Sequence, residues 1–153
     1  MLSSNPRSTV SIAGHPVHVM LVPIPIVCFF ATLVSDIVYS RTAEMLWADM
    51  SAWLLLVGLV FAVLAAVAGL IDFLGEPRIR QLRAGWVHVI GNVTVVILSI
   101  FNECIHTRDA YTSVVPMGLI LSALVVLILL ITGWNGWTLV YGHGVGVRGG
   151  DRT

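Results

Sequence analysis

The sequence has no lysine, only two cysteines, and charged side chains at 10% of its 153 positions. Each shortage excludes something. Eight basic residues, all arginine, balance eight acidic ones, so the chain has no basic stripe of the kind that nucleic-acid backbones demand. Cys28 and Cys104 form no C-x-x-C pair and no disulfide framework, which reads both as small buried apolar residues. No nucleophile motif, phosphate loop or zinc-protease signature occurs, so hydrolase and kinase chemistry has no support and no catalytic residue is nominated. The scarcity of charge also excludes an ordinary soluble domain, in which about 25% of residues are charged and about 45–50% apolar. Here 58% are hydrophobic and the mean hydropathy is +0.95. That much apolar surface needs lipid.

What charge there is punctuates the chain into four apolar stretches. Pro16–Ser35 precedes Asp36, Met50–Ile71 lies between Asp49 and Asp72, Ala84–Asn102 between Arg83 and Glu103, and Ala110–Val147 between Asp109 and Arg148. Each reaches the ~20 residues that a helix needs to cross ~30 Å of hydrocarbon, and the last can leave the membrane again. Strands of a membrane barrel would be shorter and would alternate. The expectation is an all-α, polytopic membrane protein: one domain over 1–153, a four-transmembrane-helix bundle with spans near 16–38, 50–72, 84–106 and 113–134. The first span begins too late, and lacks the small-residue site, for a cleaved signal peptide, so it is read as retained.

Arginine sets the orientation. Arg78, Arg80 and Arg83 share one loop, and with Arg7, Arg148 and Arg152 six of the eight arginines fall on one side if both termini share it. By the positive-inside rule that side is cytoplasmic, giving an N-in/C-in protein. Trp47, Trp53, Trp86, Trp134 and Trp137 near the span ends fit interfacial aromatics.

With that topology His15, His18, Asp72, His88 and His143 all come to the cytoplasmic half. At ~100° per residue each helix offers one interior face. The faces are His18, Val22, Pro25, Phe29, Thr32 and Asp36; then Gly58, Ala62, Ala65, Gly69 and Asp72; then His88, Asn92, Val95, Ser99, Asn102 and His106; then Gly118, Ser122, Val125, Leu129, Thr132 and Gly136. Small residues let membrane helices pack closely, and intramembrane ionisable groups are functional hypotheses by default. Pro23 and Pro25 either kink span one or mark its true start, with His15 and His18 then on an interfacial segment. The bland readings are an interfacial role for His106 and His143, an interhelical hydrogen bond for Asp36 and Asn102, and an Arg78 or Arg80 partner for Asp72.

Several of these residues carry a family resemblance. Gly14-His15-Pro16-Val17-His18, then Pro23-Ile24-Pro25, Asp36, the run Ala62 to Gly69 leading to Leu70-Ile71-Asp72, His88, and the closing stretch from Gly133-Trp134-Asn135-Gly136-Trp137 through Tyr141-Gly142-His143-Gly144-Val145-Gly146-Val147 resemble the bacterial membrane family known as domain of unknown function 2231. Trp137 stands where the family more often has a second glycine. The resemblance covers nearly the whole chain and implies a four-span protein without an established activity. Some relatives look fused to Rieske-type iron–sulfur domains, which implies redox company.

Two functions use the same residues differently. In the first, the bundle is an electron-transfer subunit rather than a stand-alone catalyst. His18 and His88 ligate haem b axially, with His15 or His143 serving propionates or a second site. A non-haem variant puts Fe or Zn among His15, His18, Asp72 and His88. Its partners would be the lipid bilayer, a redox protein such as an iron–sulfur protein, and other copies in a homo-oligomer. In the second there is no cofactor. Asp36, Asp72 and the histidines then form a proton or ion path, or structural contacts between helices.

Overall fold

Among the described residues four helices are long and apolar enough to span a membrane: Val17–Thr42, Met45–Gly75, Arg83–His106 and Val114–Gly142. The computed structural model describes residues 6, 8–108 and 114–147. Arg7, Arg148 and Arg152, on which the expected orientation leans, lie outside the described residues, as do Asp109 and the start of the last apolar stretch.

The chain enters through a small hairpin, β1 (Ser11–Ile12) against β2 (His15–Pro16), with Ile12 opposite His15. Its two turn residues, Ala13 and Gly14, have φ of 50° and 80°. Positive φ at both centres matches the right-handed twist of a two-residue hairpin, and this is what the glycine of the opening motif supplies. α1 (Val17–Leu21) then starts at once and runs on into α2 (Pro23–Thr42). Val22 has helical φ and ψ of −52° and −38°, and its N–H donates to the His18 carbonyl at 3.1 Å. The helix therefore passes through its prolines, and His18 lies in its first turn.

Ala43, in the left-handed conformation, ends α2 and donates back to the Tyr39 carbonyl at 2.8 Å. α3 (Met45–Gly75) has 31 residues, about 46 Å at ~1.5 Å per residue. It starts before Met50 because Met45, Leu46, Trp47 and Ala48 are apolar too, and the single exposed Asp49 does not interrupt the helix. Pro77 stops it, since the residue before a proline avoids the helical region; Glu76 has φ and ψ of −116° and 101°. A short α4 (Pro77–Arg80) leads into α5 (Arg83–His106). α6 (Leu119–Trp137) follows a kinked entry at Val114–Gly118, where Val115 has non-helical φ and ψ of −112° and 128°, and a wider turn at Thr138–Gly142 carries the last span past Trp134.

α2 packs between α3 and α6, and α5 packs between the same two, so α2 and α5 stand diagonally across the bundle. All four interior faces read from the sequence turn inward. Phe29, Thr32 and Asp36, then Gly58, Ala62 and Ala65, then Val95, Ser99, Asn102 and His106, then Ser122, Val125, Leu129 and Thr132 are buried. Phe29, Leu55, Ala62, Val95, Val125 and Leu129 form one apolar core across the middle. The layers above and below it are polar. Trp53, Trp86, Trp134 and Trp137 are exposed near the helix ends.

Candidate functional site

At the end of the bundle where the chain enters, His18 of α1 and His88 of α5 reach across the diagonal. Their rings meet edge to face, with centroids 5.9 Å apart and planes at 86°. Each ring is pinned by its Nδ1. His18 Nδ1 lies 2.7 Å from the carbonyl oxygen of Ala65, and His88 Nδ1 lies 2.9 Å from that of Thr132. A carbonyl only accepts, so both Nδ1 atoms carry a hydrogen, and in the neutral ring each Nε2 then keeps its lone pair. This is how a backbone carbonyl fixes the tautomer of a metal-binding imidazole.

Glycine makes these contacts possible. A Cβ on Gly69 would come within 2.8 Å of His18 Nδ1, and one on Gly136 within 2.9 Å of His88 Cε1. In each case the glycine lies one helical turn after the residue whose carbonyl receives the ring. The stripe of small residues on α3 therefore seats an imidazole at Gly69 and the Phe29 ring at Gly58. The two rings line a cavity of about 60 Å³, together with Pro25, Phe29, Asn92 and Thr132.

The other residues nominated for this site are occupied elsewhere. Asp72 receives the N–H groups of Thr9 and Val10 on Oδ1, at 2.6 and 3.0 Å, and the Ser8 hydroxyl on Oδ2 at 2.8 Å. Its carboxylate ties the entering strand to the end of α3. Arg78, expected as its partner, pairs with Glu76 at 3.0 Å. His15 is exposed on the hairpin, and His143 is exposed with its Nδ1 3.2 Å from the Thr138 carbonyl oxygen. Among the described residues no three His, Cys, Asp or Glu converge as a metal-binding group. The four-residue set His15, His18, Asp72 and His88 is thus not assembled, and what comes together is a pair.

The residues that carried the resemblance explain one another in this geometry. Gly14 makes the turn that delivers His18, Gly136 seats His88, and Gly146, at φ 73°, packs on Pro16, where a Cβ would come within 3.1 Å of the ring. Gly146 N–H also donates to the Pro6 carbonyl at 2.9 Å. The opening and closing motifs therefore close on each other at the histidine end. A family model described as predicted membrane protein (DUF2231) matches residues 14–149. The chain belongs to the DUF2231 family. No curated protein and no solved structure matches it.

At the opposite end this DUF2231 chain holds a second polar group that the sequence reading divided into separate parts. His106 is buried, not interfacial; its Nε2 lies 3.0 Å from Asp36 Oδ1 and its Nδ1 3.0 Å from the Asn102 carbonyl oxygen. The Ser122 hydroxyl donates to Asp36 Oδ2 at 2.6 Å and accepts from Asn102 Nδ2 at 2.8 Å. The interhelical role read for Asp36 and Asn102 is therefore real, but its centre is His106. A sequence signal for it exists. Asp36 and His106 are 70 residues apart, as are His18 and His88. Every member of the α1–α2 face has its counterpart on the α5 face at that same offset.

Proposed function

We propose that this membrane bundle is an electron-transfer subunit whose metal centre is held by the imidazoles of His18 and His88. The observation that carries the reading is the shared state of the two rings: each Nδ1–H is spent on a backbone carbonyl, and each Nε2 has no partner among the described residues. Two neutral imidazoles on diagonal helices, in an apolar cavity, offer nitrogen ligands suited to iron. Among the described residues neither histidine has a carboxylate as hydrogen-bond partner, so neither is arranged there as a general base.

Space and ligand count point to different forms of that centre. A cavity of about 60 Å³ accepts an ion with a water, because one water occupies roughly 30 Å³. An iron ion held by two imidazoles would complete its shell with water or a substrate. Haem b does not fit the described packing, since ligand pockets of its class run to about 300 Å³ or more and the rings are already in contact. The count favours it nonetheless, because haem asks a protein for two axial ligands only. It would require α1 and α5 to part.

In this reading the protein sits in a bacterial cytoplasmic membrane with both termini inside, and exchanges electrons with a redox protein such as an iron–sulfur protein. The test is a visible spectrum of detergent-purified protein, air-oxidised and then dithionite-reduced, with elemental analysis on the same sample. A Soret band that sharpens on reduction identifies haem. A colourless protein with stoichiometric iron identifies the bare ion. Protein from haem-sufficient cells, purified without chelators and holding neither, overturns the reading.

A further inference from the structure

The buried group at the other end has a proton inventory that its geometry fixes. His106 Nδ1 faces a carbonyl oxygen at 3.0 Å and must be protonated. The Ser122 hydroxyl has one hydrogen, and it lies toward Asp36 Oδ2 because the oxygen of that hydroxyl already accepts from Asn102 Nδ2. One hydrogen is left for the 3.0 Å contact between His106 Nε2 and Asp36 Oδ1. With it on the ring, an imidazolium faces a carboxylate; with it on Oδ1, a neutral ring faces a carboxylic acid. The pair is neutral both ways. Removing that proton sets a lone pair against a carboxylate oxygen and leaves a net negative charge inside the bundle, where it is expensive.

Next to the pair, on the same turns of α5, three buried oxygens lack a hydrogen-bond partner among the described residues: Ser99 Oγ, Asn102 Oδ1 and Glu103 Oε2. Ser99 and Asn102 are fully buried. Glu103 is only half-buried, and so joins the interior to the neighbouring surface. Buried oxygens in this state require a donor, and on α5 Asn102 and Glu103 stand within one turn of His106, with Ser99 one turn deeper.

We propose that Asp36 and His106 form a proton-binding site that exchanges one proton with the adjacent aqueous face through Glu103. Among the described residues the other elements around the pair bring no further charge. α6 contributes the Ser122 hydroxyl, α3 the buried Ser51 hydroxyl, which points to the Thr32 carbonyl, and α2, one turn on, the Tyr39 phenol, bonded to Met45 Sδ at 4.0 Å. Arg108 and Cys104 are exposed. The apolar core of Phe29, Leu55, Val95 and Val125 separates this site from His18 and His88, so the exchange is with one face and needs no metal at the other.

The experiment is nitrogen-15 NMR of the histidine rings in lipid bilayers, with His106 assigned through Ile105 and Thr107, over the pH range in which the protein stays folded. The expected result is a one-proton step in the His106 signals and a slowly exchanging hydrogen between Nε2 and Asp36. Asp36→Asn keeps every contact, because its amide donates to Nε2 and its oxygen accepts from Ser122. In that variant the ring should stay neutral with Nδ1 protonated, and the step should vanish. Glu103→Gln should slow deuterium exchange of the shared hydrogen by at least about tenfold, the scale at which a positioned proton carrier acts. Wild-type His106 signals that never move with pH overturn the site, and this measurement needs no variant. An unchanged exchange rate in Glu103→Gln overturns the assignment of Glu103.

Discussion

The ring of His88 rests on Gly136, where a Cβ would come within 2.9 Å of Cε1, and the ring of His18 rests on Gly69 in the same way. Neither ring can withdraw without losing its carbonyl partner. Gly136→Ala and Gly69→Ala should each cost about 1–3 kcal/mol, the usual range for overpacking a tight contact, and should lower metal or haem content. Gly133→Ala meets nothing within 4 Å and serves as the neutral control. Denaturation midpoints in detergent decide the matter; equal midpoints for all three would refute the seating.

His88→Ala should deplete the centre, since no neighbouring side chain offers a nitrogen from the same direction. His106→Ala should leave it in place, because that ring lies beyond the apolar core. His15→Ala and His143→Ala should leave it too, as both rings are exposed and outside the cavity lining. Loss of metal or haem in the His15 or His143 variant would restore these residues to the site.

Asp72 is a clamp for the entering strand. Asp72→Leu should free the Thr9 and Val10 amides, seen as faster hydrogen exchange at both. Asp72→Asn keeps one acceptor oxygen for the two amides and should exchange nearly as slowly as wild type. If instead Asn depletes the centre as much as Leu while the amides stay protected, the carboxylate is a ligand after all.

The interior faces were legible because a membrane helix writes its packing in small and polar residues at a period of 3.6, and lipid-facing positions are uniformly apolar. The partners of Asp72 were not, because two of them are backbone N–H groups of Thr9 and Val10, and a backbone donor leaves no trace in residue identity. The arginines drew attention instead. His106 was misjudged for another reason: its place at a helix end suggested a wet interface, although it shares a face with Asn102 and comes to the same end of the bundle as Asp36. The 70-residue offset would have paired them, since it repeats between His18 and His88.

Losing one partner of the buried pair should be severe. Asp36→Leu strands His106 Nε2 and the Ser122 hydroxyl, and removal of one member of a buried charged pair costs roughly 3–5 kcal/mol. Ser122→Ala removes two hydrogen bonds, to Asp36 and from Asn102, and such bonds between membrane helices average about 0.6 kcal/mol each. Unfolding midpoints should fall in that order, and a milder Asp36→Leu than Ser122→Ala would contradict the network.

Topology is open to direct measurement. Reporter fusions after Arg83 and after Arg148 should both report cytoplasm, and one after Arg108 the exterior. An exterior report after Arg83 would turn the molecule over and place the histidine pair at the outer face.

The two diagonal pairs sit at one register, yet one joins like to like and the other joins unlike residues. Were the two halves of the chain identical, the residue at 36 would face its own copy, and twin carboxylates or twin imidazolium rings there would repel. An acid opposite a base is what lets a single hydrogen belong to both. At 18 and 88 the opposite holds: a central ion takes an electron pair equally from either side, so two identical rings are the better arrangement, and evenness there has nothing to lose.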